Sequence, residues 1–281
     1  MRVCKTVAEL RAVRAALPSP VGFVPTMGYL HGGHLALVRR CAAENAATVV
    51  SIFVNPTQFD RQDDFAAYPR DIARDLRLLE AEGVHVVFVP SAEEMYPPGF
   101  KTVVRVREIT DVLEGAHRPG HFDGVATVVT KLFNIVAPDR AYFGQKDAQQ
   151  VVVIKRLVAD LNVPVEIRVV PTVREPDGLA MSSRNVRLSP EGRRVASILY
   201  RALSEAQAAW RSGRERDAEA LRRLVRARLE EEPRVRLEYV SLAHRETLEE
   251  LEGEVAGGLL SLAAWIDGVR LIDNVILEEE P

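Results

Sequence analysis

Residues 22–40, GFVPTMGYLHGGHLALVRR, join an apolar run to a helical pattern through a glycine-rich turn. The apolar run ends at Pro25, and apolar residues on helical spacing occupy 33–44 beyond the turn. This order predicts a buried strand that is followed directly by an α-helix. His31 and His34 stand where the predicted helix begins, and the chemistry that two imidazoles supply at that point has to be explained.

The alternation of strand and helix patterns continues along the chain to about residue 170. Apolar runs rich in β-branched residues predict buried parallel strands at 21–25, 47–54, 84–90, 140–144 and 165–171. Periodic segments between them predict helices at 33–44, 68–83, 124–138 and 146–161. Repeated strand–helix units with right-handed crossovers predict an open parallel α/β sheet.

Apolar stripes on the predicted helices should face the core of this sheet domain. The helix at 68–83 and the helix at 146–161 carry their stripes at Ile72, Leu76, Leu79, Ile154, Leu157, Val158 and Leu161. In the first helix, Cys41 shares a face with Leu37 and Val38, which predicts a buried packing role for this thiol.

The pattern changes near residue 172. The segment 172–185, TVREPDGLAMSSRN, lacks periodicity and is rich in turn formers, which predicts a functional loop with a hinge near 172–178. Two helices rich in Arg, Glu and Ala follow from Ser189, and strands with an Asp267-Gly268 hairpin turn complete the chain. We therefore predict a parallel-sheet domain at 1–174 and a smaller α+β domain at 175–281.

Composition excludes several classes of protein. The chain has 281 residues, a formal net charge of −3 and two cysteines, which disfavours a disulfide framework, a zinc cage and global attraction to nucleic acid. No apolar segment of 18 residues and no secretory leader are recognisable. The Arg-rich segment 192–228 interleaves acidic residues, which favours a solvated helical face over an RNA-binding surface. We expect a cytoplasmic protein that binds neither nucleic acid nor membrane.

A helix N-terminus with two imidazoles suits a polyphosphate. The unpaired amides and the partial positive charge of the terminus favour anions, and Gly33 lets a ligand approach the backbone. Preorganised donors aimed at charge that develops during reaction are typically worth about 2.7–4 kcal/mol each. A metal site at His31 and His34 is less well supported, because no nearby Cys, His, Asp or Glu cluster completes a ligand set.

The segment FVNPTQF at 53–59 carries two side-chain amides and ends the second predicted strand, 47–54. Such strand ends form ligand sites in parallel sheets, and the uncharged amides of Asn55 and Gln58 suit hydroxyl and carboxylate groups. The alternative role for Asn55 with Pro56 is formation of a turn.

Two further segments carry charges suited to phosphate. FGQKDAQQ at 143–150 places Lys146, one of only five lysines, at the start of a predicted helix, with Asp147 and Gln150 as neighbours on its surface. MSSRN at 181–185 supplies two hydroxyls and a guanidinium, which are fitted to phosphate oxygens. Taken alone, Lys146 is equally compatible with a solvated helix start, and MSSRN is better explained as a polar surface loop.

The combination of motifs resembles a known family. The strand followed by H-x-G-H resembles the signature of the HIGH nucleotidyltransferase superfamily, and MSSRN resembles its mobile K-M-S-K-S loop. Together with FVNPTQF, FGQKDAQQ and the C-terminal RLIDNVIL, these motifs resemble the pantothenate synthetase (pantoate–β-alanine ligase) family over essentially the whole chain. Gly32 and Gln145 depart from the residues that are commoner there, at positions without an assigned role.

The resemblance implies a Rossmann-like ATP- and pantoate-binding domain at 1–174 and a lid domain at 175–281. It implies that pantoate is adenylated by ATP and that β-alanine then displaces AMP to form pantothenate. His34, His31 and Lys146 would act in catalysis, and Gln58 and Gln150 would bind pantoate or β-alanine. The implied ATP site comprises Met27, Gly28, His31, Gly33, His34, Gly144, Lys146, Asp147, Val173, Met181, Ser182, Ser183 and Arg184.

The resemblance also implies partners and secondary contacts. Mg²⁺ would accompany ATP, held mainly by phosphate oxygens and water without a dedicated protein cage, and the protein would be a homodimer. Tyr68, Arg118 and His121 would be secondary contacts, and the base that deprotonates the β-alanine amine stays open.

Three rival functions remain at this stage. A superfamily enzyme that transfers a nucleotidyl group to a phosphorylated alcohol would need cationic groups in the acceptor site, where this sequence offers Gln58 and Gln150. A regulatory ATP-binding module would not turn ATP over. A nucleic-acid-binding protein would bind RNA in a salt-dependent manner.

Overall fold

The computed structural model describes residues 1–279. The chain forms two compact units, the first made of Met1–Gln145 with Val153–Pro171 and the second of Lys146–Val152 with the chain from Thr172 onward. This division falls between Pro171 and Thr172, and the domain boundary inferred after residue 174 stays a prediction.

The first unit is built on a six-stranded parallel sheet with the order β1-β4-β3-β2-β5-β6. Its strands are β1 (Arg2–Cys4), β2 (Val21–Thr26), β3 (Ala47–Ile52), β4 (Val86–Phe88), β5 (Arg140–Gly144) and β6 (Glu166–Val170). Since β2 is paired with β3 on one side and β5 on the other, the strand order reverses at β2. A ligand crevice lies outside the carboxyl ends of the strands at such a point.

Helices connect these strands in the alternation that the periodicity predicts. They are α1 (Val7–Arg14), α2 (Gly32–Glu44), α3 (Gln62–Ala67), α4 (Ile72–Ala81), α5 (Ala92–Met95), α6 (Glu114–His117) and α7 (His121–Val136). Helix α8 (Ala148–Asp160) begins in residues of the second unit and ends in residues of the first. The predicted α/β class is confirmed, and the Cys41 thiol is buried with Leu37 and Val38 in the core beneath α2.

Three details differ from the sequence-based expectations. Strand β1 was not predicted, because three residues at a sheet edge carry too little pattern. Ile72 is 39% exposed, whereas Asp75, three residues later in α4, is fully buried. Leu161 is 52% exposed because α8 ends at Asp160, so the last residue of the expected stripe lies beyond the helix.

The second unit packs helices against an antiparallel sheet with the order β7-β8-β9. Its elements are α9 (Pro190–Val195), α10 (Ile198–Arg211), α11 (Ala218–Glu230), β7 (Val235–Ala243), β8 (Gly258–Ile266) and β9 (Val269–Leu277). Asp267 and Gly268 join β8 to β9 with φ angles of 51° and 75°, as the predicted hairpin turn requires. Trp210 is fully buried in the core, and its indole donates to the Val255 carbonyl over 3.0 Å. No helix within residues 1–279 is both long and apolar enough to cross a membrane.

Candidate active site

The turn after β2 has a backbone that depends on glycine. Gly28 and Tyr29 have φ angles of 81° and 49°, and the Gly28 amide donates to the Thr26 hydroxyl over 3.2 Å. That hydroxyl in turn donates to the Ser51 carbonyl over 2.7 Å, which ties the turn to β3. A Cβ atom at position 28 would lie 2.9 Å from the Ile52 side chain. The turn is therefore strained and closely packed.

Asp75 on α4 stabilises this turn, a role that the sequence analysis did not predict. Its carboxylate accepts hydrogen bonds from the Tyr29 amide over 2.7 Å and from the Leu30 amide over 2.8 Å. Burial raises the pKa of the Asp75 carboxyl, while the two amides oppose the shift. The signal available in the sequence was its spacing from Ile72 and Leu79, which puts a carboxylate on the inward stripe of α4.

His31 and His34 cap α2 reciprocally. His31 is the N-cap residue, and its Nδ1 atom accepts a hydrogen bond from the Gly33 amide over 3.1 Å. The Nδ1 atom of His34 accepts from the His31 amide over 3.3 Å, and the two ring centroids are 4.1 Å apart. A neutral imidazole that accepts at Nδ1 carries its proton on Nε2. The cap therefore fixes both rings in the tautomer that donates from Nε2.

Gln58 lies at the end of a 3₁₀ turn, Pro56–Gln58, that follows β3. Its side-chain oxygen accepts from the Asn55 amide group over 3.1 Å, and its Nε2 atom is 3.1 Å from the Met27 sulfur. The buried Asn55 side chain also donates to the Gly124 carbonyl and accepts from the Tyr96 hydroxyl over 2.8 Å. Asn55 therefore holds Gln58 in place. It also accepts from the Thr57 amide and so caps the 3₁₀ turn, as the turn-forming alternative expects, whereas its role toward a ligand stays a prediction.

The main chain of Gln58 is held from the other side by α7 and the residues before it. The His121 Nδ1 atom lies 2.7 Å from the Gln58 carbonyl oxygen, and Arg118 donates to the same oxygen over 3.4 Å. Arg118 also forms an ion pair with Asp60 at 3.0 Å. Tyr68 packs against Phe59, with ring centroids 5.6 Å apart. Two of the three residues named as secondary contacts thus hold Gln58 directly.

The predicted residues of the first unit gather at one edge of the sheet. Met27 follows β2, Gln58 follows β3 and Gly144 ends β5, and these three strands are neighbours. A cavity of about 200 Å³ opens among the residues after β2, β3 and β4, with Met27, Gly28, Phe53 and Asp75 in its lining.

In the second unit, Lys146 and Asp147 lie on a 3₁₀ turn, Gln145–Asp147, and the α-helix begins only at Ala148. The Lys146 ammonium is 3.4 Å from the Asp147 carboxylate, and the Lys146 side chain is 20% exposed. Gln150 lies in the first turn of α8 and is partly buried. Lys146 is therefore sequestered to a degree that a solvated helix start does not explain.

The segment after Thr172 is more regular than its sequence suggests. Arg174 and Ala180 form an antiparallel bridge, the Glu175 amide donates to the Leu179 carbonyl over 2.8 Å, and the Met181 amide donates to the Val173 carbonyl over 3.0 Å. Residues 173–181 form a tight hairpin turn with one isolated bridge and no regular strand, so the segment is a loop, as expected, with more internal hydrogen bonds than its sequence indicates. So short a hairpin turn has no alternating apolar pattern that could predict these bonds. The functional role and the hinge stay predictions.

MSSRN follows this hairpin directly. The Ser182 hydroxyl accepts from the Arg184 amide over 3.2 Å and so caps a 3₁₀ helix, Ser183–Arg187. Asn185 donates from its side chain to the Ala180 carbonyl over 3.0 Å, which ties the new turn back to the hairpin. Met181, Ser182 and Arg184 are partly exposed, whereas Ser183 is buried.

A parallel sheet with a strained glycine turn, followed by two imidazoles at a helix N-terminus, defines a Rossmann-like α/β protein of the H-x-G-H nucleotidyltransferase class. A family model described as Pantoate-beta-alanine ligase matches residues 2–276, and the chain belongs to this family.

Relatives and solved structures agree with this assignment. The pantothenate synthetase of Roseiflexus castenholzii is 60% identical over 278 residues and covers 99% of this chain and 100% of its own. That of Chloroflexus aurantiacus is 62% identical over 281 residues, with 100% and 99% coverage. The crystal structure of the Thermus thermophilus enzyme has a TM-score of 0.94 and 52% identity, over 99% of this chain and 100% of its own.

A crystal structure of pantoate-beta-alanine ligase from Francisella tularensis, complexed with beta-gamma ATP and beta-alanine, has a TM-score of 0.82 and 36% identity. The match covers 100% of this chain and 99% of that one.

Proposed function

We propose that this protein condenses pantoate with β-alanine at the expense of ATP, giving pantothenate, AMP and pyrophosphate through pantoyl adenylate. Membership of the family and the names of its relatives support the overall reaction. The observation that carries the proposal in this chain is the reciprocal cap, in which both imidazoles accept at Nδ1 at the N-terminus of α2 and so carry their protons on Nε2.

In the first step, a pantoate carboxylate oxygen attacks the α-phosphorus of ATP. The new P–O bond forms as the bond to pyrophosphate breaks, and the electron pair of that bond leaves with pyrophosphate. His34, with His31 beside it, donates hydrogen bonds to the phosphate oxygens that gain charge. Pantoate is already ionised at neutral pH, so this step needs no general base.

Gln58 recognises pantoate in this scheme. Because its oxygen already accepts from Asn55, its amide nitrogen is the group that can donate to a carboxylate or hydroxyl oxygen. Asn55 holds the side-chain amide, and His121 and Arg118 hold the main chain of the same residue, so recognition costs little side-chain entropy. We assign Gln150 as the second amide for the same substrate.

We also assign ATP contacts to residues of the second unit and to the remaining turn residues. Lys146, Ser182, Ser183 and Arg184 bind phosphate oxygens, and Asp147 binds the ribose hydroxyls. Val173 packs near adenine, and Met181 lies against the triphosphate with the other residues of MSSRN. Met27, Gly28, Gly33 and Gly144 line the nucleotide from the sheet edge, where the glycines admit close approach of the backbone.

In the second step, the β-alanine amine attacks the acyl carbon of the adenylate. The C–N bond forms, the acyl C–O bond breaks, and AMP leaves with that electron pair. The amine enters as the free base from solution, and its remaining extra proton is lost to water.

Mg²⁺ enters this scheme with ATP. Within residues 1–279, His, Cys, Asp and Glu side chains form no group of three that could hold a metal ion. A donor set of phosphate oxygens and water suits Mg²⁺, which retains water readily. We further propose that the protein acts in the cytoplasm as a homodimer.

The test is ATP–pyrophosphate exchange with pantoate present and β-alanine absent, on the wild type and His34→Ala. We expect pantoate-dependent exchange that falls by two to three orders of magnitude, about 10²–10³-fold, in the variant. Exchange that requires a phosphorylated alcohol instead of pantoate would favour the rival nucleotidyl transfer. ATP binding without exchange under any acceptor would favour a regulatory module.

A further inference from the structure

RLIDNVIL at 270–277 lies on β9, and the proposed reaction assigns it no role. It contains two polar residues that are buried next to each other, Asp273 at 2% exposure and Asn274 at 4%. A core strand that needed only packing would carry apolar residues at both positions.

Asn274 contacts the main chain of Lys146, the lysine proposed to bind phosphate. Its side-chain amide donates to the Lys146 carbonyl oxygen over 2.9 Å, across 128 positions of sequence. Lys146 lies on the 3₁₀ turn that leads into α8. A hydrogen bond to this carbonyl fixes the backbone from which the Lys146 ammonium projects.

Asp273 reaches the hairpin at 173–181 through Arg174. The two carboxylate oxygens accept from the Arg174 guanidinium over 2.6 Å and 2.9 Å, and the Asn274 amide donates to the same carboxylate over 2.8 Å. The guanidinium also donates to the Gly178 carbonyl over 3.1 Å and lies 3.6 Å from the centre of the Tyr200 ring.

The Arg174 guanidinium is therefore held at once by the bidentate Asp273 carboxylate, the Tyr200 ring and the Gly178 carbonyl. A bidentate pair of this kind specifies orientation as well as distance. Because Arg174 is bridged to Ala180, and Met181 donates to Val173, the position of the pair is transmitted to the start of MSSRN.

We propose that Asp273 and Asn274 are positioning residues that hold two phosphate-binding segments, Lys146 and Met181–Arg184, in one fixed arrangement for ATP. Asn274 contacts the backbone of Lys146, and Asp273 contacts the hairpin that leads into Met181–Arg184, so adjacent residues of one strand link the two segments. This inference rests on the roles proposed above for Lys146 and MSSRN. It adds that the C-terminal strand determines ATP affinity and the adenylation rate without touching the nucleotide.

The test compares Asn274→Asp, Asn274→Ala and Asp273→Asn with the wild type. Asn274→Asp keeps the shape of the side chain and removes the donor to Lys146. Glu238→Gln is the matched control, because Glu238 on β7 forms a mostly buried ion pair with Arg270 of β9 and also accepts from the Trp265 indole. Each variant is assayed by circular dichroism, by calorimetric titration with a non-hydrolysable ATP analogue, and by pantoate-dependent ATP–pyrophosphate exchange.

We expect kcat/KM for ATP to fall about tenfold to a hundredfold in the Asn274 and Asp273 variants, with the KM for pantoate unchanged. The analogue should bind more weakly by a similar factor, and Glu238→Gln should match the wild type. Unchanged ATP binding and exchange in folded variants would overturn the proposal, as would an equal loss in Glu238→Gln.

If one of the three variants does not fold, the other two still test the proposal. Asp273→Asn and Asn274→Asp are both isosteric, so we expect both to fold. The analogue titration separates this inference from the proposed function. If the wild type binds the analogue but shows no pantoate-dependent exchange, the proposed function fails. In that case the effect of the variants on analogue binding still decides whether the strand positions the phosphate segments.

Discussion

His31 does two jobs that can be separated at the scale of one residue. Its Nδ1 atom caps α2 by accepting from the Gly33 amide, and its Nε2 atom is the donor proposed for phosphate. Asparagine is among the best N-cap residues, whereas alanine is among the worst. The substitutions His31→Asn and His31→Ala therefore differ in capping but not in the loss of the imidazole.

We expect the free energy of unfolding of His31→Asn to lie within about 0.5 kcal/mol of the wild-type value. That of His31→Ala should be lower by a further ~1 kcal/mol, because the cap is lost. Both variants should lose pantoate-dependent exchange to the same degree, by about a hundredfold. Urea titration and the exchange assay measure the two effects. Wild-type exchange in His31→Asn would restrict the role of this histidine to capping.

Gly28 is constrained twice, by its positive φ angle and by the Ile52 side chain. Gly83 offers a matched control in the same unit, because its φ angle is 71° and a Cβ atom added there would meet no neighbouring side chain within 4 Å. The two sites share the backbone cost of alanine and differ in the close contact.

Alanine at either site should cost about 1 kcal/mol for the left-handed backbone. We expect Gly28→Ala to cost about 1–3 kcal/mol more, and to depress exchange, because the turn must move away from Ile52. Chemical unfolding of both variants checks the difference. Equal free energies of unfolding would show that the turn relaxes without cost.

Helix α4 acts at the scale of an element, since it carries the carboxylate that holds the turn before α2. Burial raises the pKa of Asp75. The native state then binds this proton more tightly than the unfolded chain. The contribution of Asp75 to the free energy of unfolding is therefore greatest below the ordinary Asp pKa of about 3.9, and it is lost as the pH rises through the raised value.

Asp75→Asn removes this titration and leaves an amide group facing the Tyr29 and Leu30 amides. As the pH rises from about 4, we expect the free energy of unfolding of the wild type to fall relative to that of Asp75→Asn. The fall should stop once the Asp75 carboxylate is ionised in the native state. Urea unfolding at several pH values measures it. Asp71→Asn is the control, because Asp71 is the exposed cap of the same helix and asparagine retains the cap. A pH-independent difference for Asp75→Asn would contradict this account.

The elements themselves were predictable to the extent that their patterns are local. Strands β2, β3, β5 and β6 and helices α2, α7 and α8 are long enough for periodicity or β-branching to identify them, and their bounds shift by only a few residues. Strand β1 is only three residues long and the hairpin turn at 173–181 has a single isolated bridge, so hydrogen-bond partners identify both features and a sequence pattern does not.

At the scale of the whole molecule, we expect catalysis to require a metal ion and folding to require none. Residues 1–279 hold no cluster of three potential ligands, and we propose that Mg²⁺ arrives on ATP. We expect EDTA to abolish pantoate-dependent exchange and excess Mg²⁺ to restore it. The melting temperature of the ATP-free protein should not change with EDTA, as differential scanning calorimetry can measure. A fall in that temperature would indicate a structural metal.

The sequence by itself determined the alternation of strands and helices, the family resemblance and the chemical types gathered in each motif. These follow from local periodicity and from residues that are close neighbours in the chain, such as His31, Gly33 and His34. The tertiary structure decided the partners. Asp75 meets Leu30 across 45 positions and Asn274 meets Lys146 across 128, which no spacing rule could anticipate. Strand order and register bring such groups together, and a buried polar group is stable only where that packing supplies its hydrogen bond.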